Sequence, residues 1–279
     1  MKTLYLDCSM GAAGDMLTAA LLELVPDQAS VLEKLNSMGI PGVKFKAEKS
    51  VKCGITGTHM AVTVRGQEEE DFFEHHHSQG PFGGHGHCHG HGHEHPHMTP
   101  ADIAHVLTHM DLPERVRRDV LAVYDIIAQA ESHAHDMPVE QIHFHEVGSL
   151  DAIADVTAVC MLMDLLRPDQ VLAAPVHVGS GTVHCAHGIL PVPAPATAWI
   201  LREVPVYSGS IQGELCTPTG AALLKYFVKD FCSMPIMRAS GIGYGMGRKD
   251  FPQANCLRAM LGDTQEQQES DSGTELQSG

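Results

Sequence analysis

Apolar and polar positions along the chain fall into short runs whose spacing changes from segment to segment. Residues 3–8 form an apolar run of strand length, and a glycine-rich turn leads into an apolar, helix-spaced stretch from residue 15 to about 25. Together they predict a β-turn-α unit. Over residues 43–65, Lys44-Phe45-Lys46 and His59-Met60-Ala61-Val62-Thr63-Val64 alternate about Gly54 and Gly57, which predicts a strand pair. From residue 68 to 98 the pattern stops, and an acidic run gives way to Gly/His alternation with almost nothing apolar to bury. That stretch predicts a disordered insertion. Thr99-Pro100-Ala101-Asp102 supplies a capping hydroxyl, a proline at the first helical position and a carboxylate in the first turn. Helices are predicted at residues 100–110, 113–133 and 150–166, and from 218 to about 228 after Thr217-Pro218. Residues 171–183 read as strand, Pro191, Pro193 and Pro195 as a rigid loop, 257–261 as a last strand, and 263–279 as a polar, frayed tail. The expected fold class is α/β: an open mixed sheet with flanking helices, interrupted by a disordered His-rich insertion. Its parts are residues 1–67, 68–98, 99–262 and the tail 263–279, and no internal repeat is visible.

Composition narrows the function. With 279 residues and 43% hydrophobic side chains the chain closes a core without disulfides, which excludes a disordered or small disulfide-rich protein. Lys and Arg number 18 against 34 Asp and Glu, for a formal charge of -16, and no basic run tracks a phosphate backbone. Nucleic acid is therefore not an expected partner. Eight scattered cysteines without a CxxC pair, and an N-terminus without a charged-then-apolar leader, lead us to expect a reducing cytoplasm. No apolar run approaches the ~20 residues that cross a bilayer, so no membrane partner is expected.

Candidate chemistry is concentrated in histidine. Ten of the 20 histidines lie between His75 and His97; His85, His87, His89, His91, His93, His95 and His97 occupy every second position, with Cys88 among them. Imidazole suits Zn, Cu and Ni, so the tract predicts binding of a divalent transition metal. An expression tag fits poorly, because the tract is internal and varied. A second cluster is sparser: His133 and His135, then His143-Phe144-His145-Glu146, then Asp151 and Asp155 four apart on one helix face. In an extended segment His143 and His145 point the same way, and the carboxylates could join them around a cation. Equally, Asp151 could serve only the positive end of its helix and His145 could be an interior residue.

Three further motifs carry open alternatives. Asp7-Cys8-Ser9-Met10-Gly11-Ala12-Ala13-Gly14-Asp15 places two carboxylates where ligands gather in open α/β sheets, though it lacks P-loop and GxGxxG spacing. Cys8 is expected to be core. Thr182-Val183-His184-Cys185-Ala186-His187-Gly188 either shares a metal or carries surface histidines. Ser240-Gly241-Ile242-Gly243-Tyr244-Gly245-Met246-Gly247-Arg248-Lys249 is either an anion cradle of exposed backbone N–H groups beside two cations or a plain glycine-rich turn.

Taken in order, six segments resemble the LarC family of nickel-insertion proteins: Tyr5-Leu6-Asp7-Cys8-Ser9-Met10-Gly11-Ala12-Ala13-Gly14-Asp15-Met16, the internal His-rich tract, Ile142-His143-Phe144-His145-Glu146-Val147-Gly148 with Asp151, residues 187–197 (HGILPVPAPAT), Thr217-Pro218-Thr219-Gly220-Ala221-Ala222, and Gly241-Ile242-Gly243-Tyr244-Gly245. The resemblance implies an enzyme, a nickel chelatase of the lyase type. Such an enzyme uses CTP to place Ni²⁺ into pyridinium-3,5-bisthiocarboxylic acid mononucleotide, so that the metal ends bonded to two sulfurs and a ring carbon. It further implies Mn²⁺ or Mg²⁺, the nickel-free pincer nucleotide precursor as substrate and lactate racemase as recipient of the cofactor.

The candidate catalytic residues are then Asp7, Asp15, Glu146 and Asp151, and the candidate substrate-binding residues are Gly11, Gly14, Gly241, Gly243, Gly245 and Arg248. The candidate metal ligands are His85, His87, His89, His91, His93, His95, His97, His143, His145 and His187. Members of the family continue into a C-terminal domain, where the resemblance places CTP. This chain ends soon after Leu261, so we expect the N-terminal, nickel- and substrate-handling part, either a short product or the first frame of a frameshifted protein. A C-terminal domain or partner polypeptide would complete it, and homo-oligomerisation stays open. The competing expectations are a nickel storage protein or metallochaperone without catalysis, and a metal-dependent hydrolase built on Asp7, Asp15 and residues 143–155.

Overall fold

A computed structural model describes residues 1–67, 98–144, 146–185 and 187–264. The expected insertion, apart from Met98, therefore lies outside the described residues, as do His145 and residues 265–279. The strands in chain order are β1 (Lys2–Asp7), β2 (Val43–Lys52), β3 (Ile55–Val64), β4 (Gln170–Ala173), β5 (Val176–His177), β6 (Gly179–Ser180), β7 (Thr182–Cys185), β8 (Gly188–Pro191), β9 (Val206–Tyr207), β10 (Gly213–Glu214), β11 (Asp230–Phe231), β12 (Met237–Met246) and β13 (Cys256–Thr264). Seven form one mixed sheet in the order β11-β4-β1-β13-β12-β3-β2, and the others make three two-stranded ladders, β10-β6, β5-β9 and β7-β8. β1 runs parallel to β4 and antiparallel to β13. The β2-β3 hairpin turns on Cys53 (φ 50°) and Gly54 (φ 83°), the pair of positive φ angles that matches the twist of its strands.

Among the described residues there are seven α-helices: α1 (Gly14–Leu22), α2 (Gln28–Ser37), α3 (Pro100–Thr108), α4 (Glu114–His135), α5 (Leu150–Leu166), α6 (Pro195–Ile200) and α7 (Pro218–Phe227). α3 starts as its sequence predicts: the Thr99 side chain accepts from the backbone N–H of Asp102, whose carboxylate accepts from the N–H of Thr99. α4 is amphipathic, burying Val116, Val120, Val123 and Ile127 along one stripe. α5 is apolar nearly all round because α1, α4 and α7 enclose it. Strand alternation divides β1 between two faces: Leu4 and Leu6 join the main core, while Tyr5 meets Leu172 and Met260 in a small cluster opposite.

Four segments differ from their sequence reading. Residues 171–183 are broken into short strands, since Pro175 has no N–H to donate and Gly179 and Gly181 turn the chain at φ 91° and 79°. β13 extends to Thr264, with Asp263 paired to Lys2, so residues 263 and 264, expected in the tail, belong to the strand. α2, capped by the Asp27 side chain accepting from the Ser30 N–H at 3.1 Å, carries too short an apolar stripe to stand out.

The largest change is at residues 240–249, where the glycine alternation from Gly241 to Gly245 lies within strand β12 and is not a turn. A Cβ at Gly245 would fall 1.8 Å from the Met16 carbonyl oxygen, one at Gly243 2.0 Å from that of Ala20, and one at Gly241 3.2 Å from Leu24 Cδ2. Two strand residues advance about 6.6 Å and four helix residues about 6 Å, so glycines at i, i+2, i+4 match helix positions four apart. The stripe is the bed on which α1 lies.

Candidate functional site

The edge where β1 ends carries the first group of side chains. Asp7, half-buried, accepts from Arg258 Nη2 at 2.6 Å, from the Ser9 N–H at 3.2 Å and from the Ser9 hydroxyl. The chain then doubles back: the Gly11 N–H donates to the Cys8 carbonyl at 2.9 Å, and the Ala12 N–H to the Leu215 carbonyl at 3.0 Å. Gly11 (φ 78°) has no room for a side chain, because a Cβ would sit 1.9 Å from the Leu215 carbonyl oxygen. Behind Asp7, the His177 ring stacks on Tyr207 with centroids 4.7 Å apart and planes at 8°. His177 Nδ1 lies 3.0 Å from the Ser9 carbonyl and donates to it, while Nε2 is buried without a hydrogen-bond partner among the described residues. The sequence reading passed over His177 and Tyr207, since only the fold brings β5 and β9 beside Ser9.

The second group lies where α1 and α5 begin. A Cβ at Gly14 would fall 2.6 Å from both Cβ and Oδ2 of Asp155, so this glycine admits α5 to the start of α1. Asp15 Oδ1 accepts from the Met16 N–H at 2.8 Å. Asp151, in the first turn of α5, has a buried Oδ1 without a hydrogen-bond partner among the described residues. In the preceding segment Phe144 is buried and bonded through its N–H to the Met98 carbonyl at 2.8 Å, while His143 is exposed. That alternation agrees with the extended reading. The Asp102 carboxyl is held below its ordinary range, first by its hydrogen bonds from Thr99 and then by His105 and His143, which places His143 near the start of α3. Whether His145 points the same way lies outside the described residues.

The third group gathers residues distant in sequence. At the end of α4, His135 Nε2 lies 3.3 Å from Glu131 Oε2, and its ring centroid is 4.7 Å from that of His187 beyond the β7 strand. Burial raises the Glu131 carboxyl and Glu146 adds to it, against the pull of His135 and His187. Burial pushes Glu214 up to about 7, with Glu146 raising it further and Lys249 opposing. Cys185 is raised by burial and by Glu146, Glu214 and Glu131. Of this group the sequence reading took Glu146 and His187 as site residues, named His135 in the sparser cluster, and left the segment with Cys185 open between shared metal ligation and a surface position. Glu131 and His135 were readable as a helical i, i+4 pair, whereas nothing local distinguishes Glu214.

Among the described residues no group of three or more His, Cys, Asp or Glu side chains is already arranged to hold a metal ion. Gly241, Gly243 and Gly245, the expected substrate-binding glycines, seat α1. Gly11 and Gly14 likewise make room for the chain's own Leu215 and Asp155. Arg248, exposed after β12, keeps its side chain at the surface beside Lys249. The seven tract histidines from His85 to His97 lie outside the described residues. No described helix is long and apolar enough to cross a membrane.

The fold is an α/β domain whose described carboxylates and imidazoles fall into three separate groups. The chain matches the family described as nickel insertion protein over residues 4–278, and it belongs to that family. It is 38% identical over 264 residues to a Geobacillus kaustophilus protein named pyridinium-3,5-bisthiocarboxylic acid mononucleotide nickel insertion protein, covering 94% of this chain and 60% of that one. Proteins of the same name from Clostridium kluyveri and Staphylococcus saprophyticus are 40% and 37% identical, covering 94% and 92% of this chain and 62% and 59% of theirs. The chain thus spans about three fifths of the length of these curated relatives. No solved structure matches it.

Proposed function

We propose that this chain is the nickel- and substrate-handling part of a cytoplasmic, CTP-dependent insertase. The substrates are Ni²⁺ and pyridinium-3,5-bisthiocarboxylic acid mononucleotide, and the product is the nickel-pincer cofactor of lactate racemase. The observation that carries the reading is the family match across residues 4–278, together with relatives named for that insertion. In this reading the tract from His85 to His97 gathers nickel, and His143, His145 and His187 hold it in transit. Placing the metal on a ring carbon releases that carbon's proton, and a carboxylate among Asp7, Asp15, Glu146 and Asp151 accepts it. The carboxylates of the half-buried residues Asp15 and Asp151 also suit a hard ion such as Mn²⁺ or Mg²⁺. Arg248 supplies cationic contact for the nucleotide's phosphate. CTP binds in the region that completes the relatives' length, a C-terminal domain supplied in the same chain or by a partner.

The test is to incubate the 279-residue chain with precursor, CTP, Mn²⁺ and Ni²⁺ and to follow CMP release and nickel incorporation, alone and with the remaining region of a relative. Nickel binding without CMP release from the chain alone, and insertion on supplementation, support the reading. Robust CMP release from the chain alone refutes the placement of CTP. Nickel binding that never leads to insertion, even with the remaining region present, returns the chain to a storage or metallochaperone role.

A further inference from the structure

Two elements far apart in sequence meet through their imidazoles. His135 closes α4, and His187 stands at the turn between β7 and β8. Their ring centroids are 4.7 Å apart with planes inclined at 39°, and His135 Nε2 lies 3.3 Å from Glu131 Oε2, one helical turn back. We infer that His135, His187 and Glu131 form a clamp for a divalent transition ion at the junction of helix and hairpin, where the cargo ion is held by the folded domain before insertion. The donor set by itself selects a borderline ion; that the ion is nickel rests on the function proposed above.

The argument starts from reach. An imidazole nitrogen bonds such an ion at about 2.0–2.1 Å, so two rings on adjacent coordination positions stand several ångströms apart, as these already do. His187 is exposed at the turn of its hairpin, which keeps its ring outside the core as an ion arrives. The helix supplies the fixed side: the Glu131 side chain is 14% exposed against 32% for His135, and their i, i+4 spacing holds the carboxylate beside the ring. Three protein donors leave positions open to water, which suits an ion that must be handed on. Among the described residues no group of three such donors is arranged to hold an ion, so these three side chains must move to meet around one.

Residue-resolved modification with diethyl pyrocarbonate tests this on the full chain, because mass spectrometry separates the peptides of His135 and His187 from those of residues 75–97. With NiCl₂ added stepwise, both histidines are expected to lose reactivity together, while His59, whose Nδ1 lies 3.1 Å from the Met246 carbonyl, serves as reference. In His187→Ala, His135 is expected to stop responding to nickel. In Glu131→Gln, which preserves size and fold, the nickel needed for half-protection is expected to rise about tenfold or more. Unchanged reactivity of both rings at saturating nickel, or protection of one that ignores loss of the other, overturns the clamp. Protection by ZnCl₂ but not by NiCl₂ overturns the nickel assignment. Joint protection by nickel in a chain that fails to insert it when supplemented sustains the clamp and refutes the proposed function. Insertion without protection refutes the clamp alone.

Discussion

Glu214 is a half-buried carboxyl whose titration links the fold to pH. Its pKa rises from an ordinary 4.5 to about 7, because burial penalises the carboxylate and Glu146 repels it, with Lys249 offsetting part of the effect. Below pH 4.5 the group is protonated in the folded and unfolded chain alike and carries no penalty. As pH rises from 4.5 towards 7 the unfolded chain ionises first, holds fewer protons than the folded one, and stability falls. Each pH unit of that displacement is worth about 1.4 kcal/mol, so the folded protein above pH 7 carries a penalty of at most about 3.5 kcal/mol from this carboxyl. Glu214→Gln keeps the shape and removes the ionisation. The variant is expected to match the parent near pH 4.5 to within about 0.5 kcal/mol and to exceed it by up to about 3.5 kcal/mol at pH 8. Urea denaturation followed by far-ultraviolet circular dichroism at pH 4.5, 6 and 8 reads the difference, from which the common titration of the other groups cancels. A stability difference that stays flat with pH, or a variant weaker than the parent at pH 8, would refute the argument that desolvation governs this carboxyl.

Gly245→Ala, which drives a Cβ to 1.8 Å from the Met16 carbonyl, is expected to cost about 3 kcal/mol or more, while Gly54→Ala, strained only by its φ of 83°, costs about 1 kcal/mol. Comparable melting temperatures for the two variants would discredit the role given to the β12 glycines. Asp7→Asn loosens a partly exposed ion pair worth under about 1 kcal/mol, yet should slow supplemented nickel insertion at least about tenfold if Asp7 acts in the reaction. Unimpaired insertion removes it from the candidate catalytic groups. His143→Ala, at an exposed position, should leave stability within about 0.5 kcal/mol and weaken nickel handling; calorimetric titration beside a melt on the same variant separates this from a packing role. Arg248→Ala should weaken binding of the precursor in a salt-sensitive manner, and affinity equal to the parent's at low salt would place the phosphate elsewhere.

What could be read from the sequence was what local chemistry determines. The capping box at Thr99 and Asp102, the stripe of α4 and the apolar run of β1 each depend on neighbours within a few positions, and each stands where its pattern places it. Residues 171–183 and α2 were misread or missed because Pro175, Gly179 and Gly181 redirect an otherwise apolar run, and because one buried residue, Leu35, carries the stripe of α2. The site divided in the same way. His187 and Glu146 stand out by residue type, but the partners they meet come from α4 and from the segment around β10, which no local period connects to them.

Glycine shows why residue type alone misled. A glycine is required wherever another group must approach the backbone closely, and a sequence does not state whether that group is a ligand or the protein itself. At Gly11, Gly14, Gly243 and Gly245 the approaching atoms belong to Leu215, Asp155, Ala20 and Met16. With those positions filled by the chain's own atoms, the function proposed above leaves the nucleotide's phosphate to the exposed cations Arg248 and Lys249. Binding carried by such exposed cations is screened by salt far more than binding in a buried backbone cradle. The salt dependence of precursor binding therefore tests the reassignment of these glycines, independently of whether nickel is inserted.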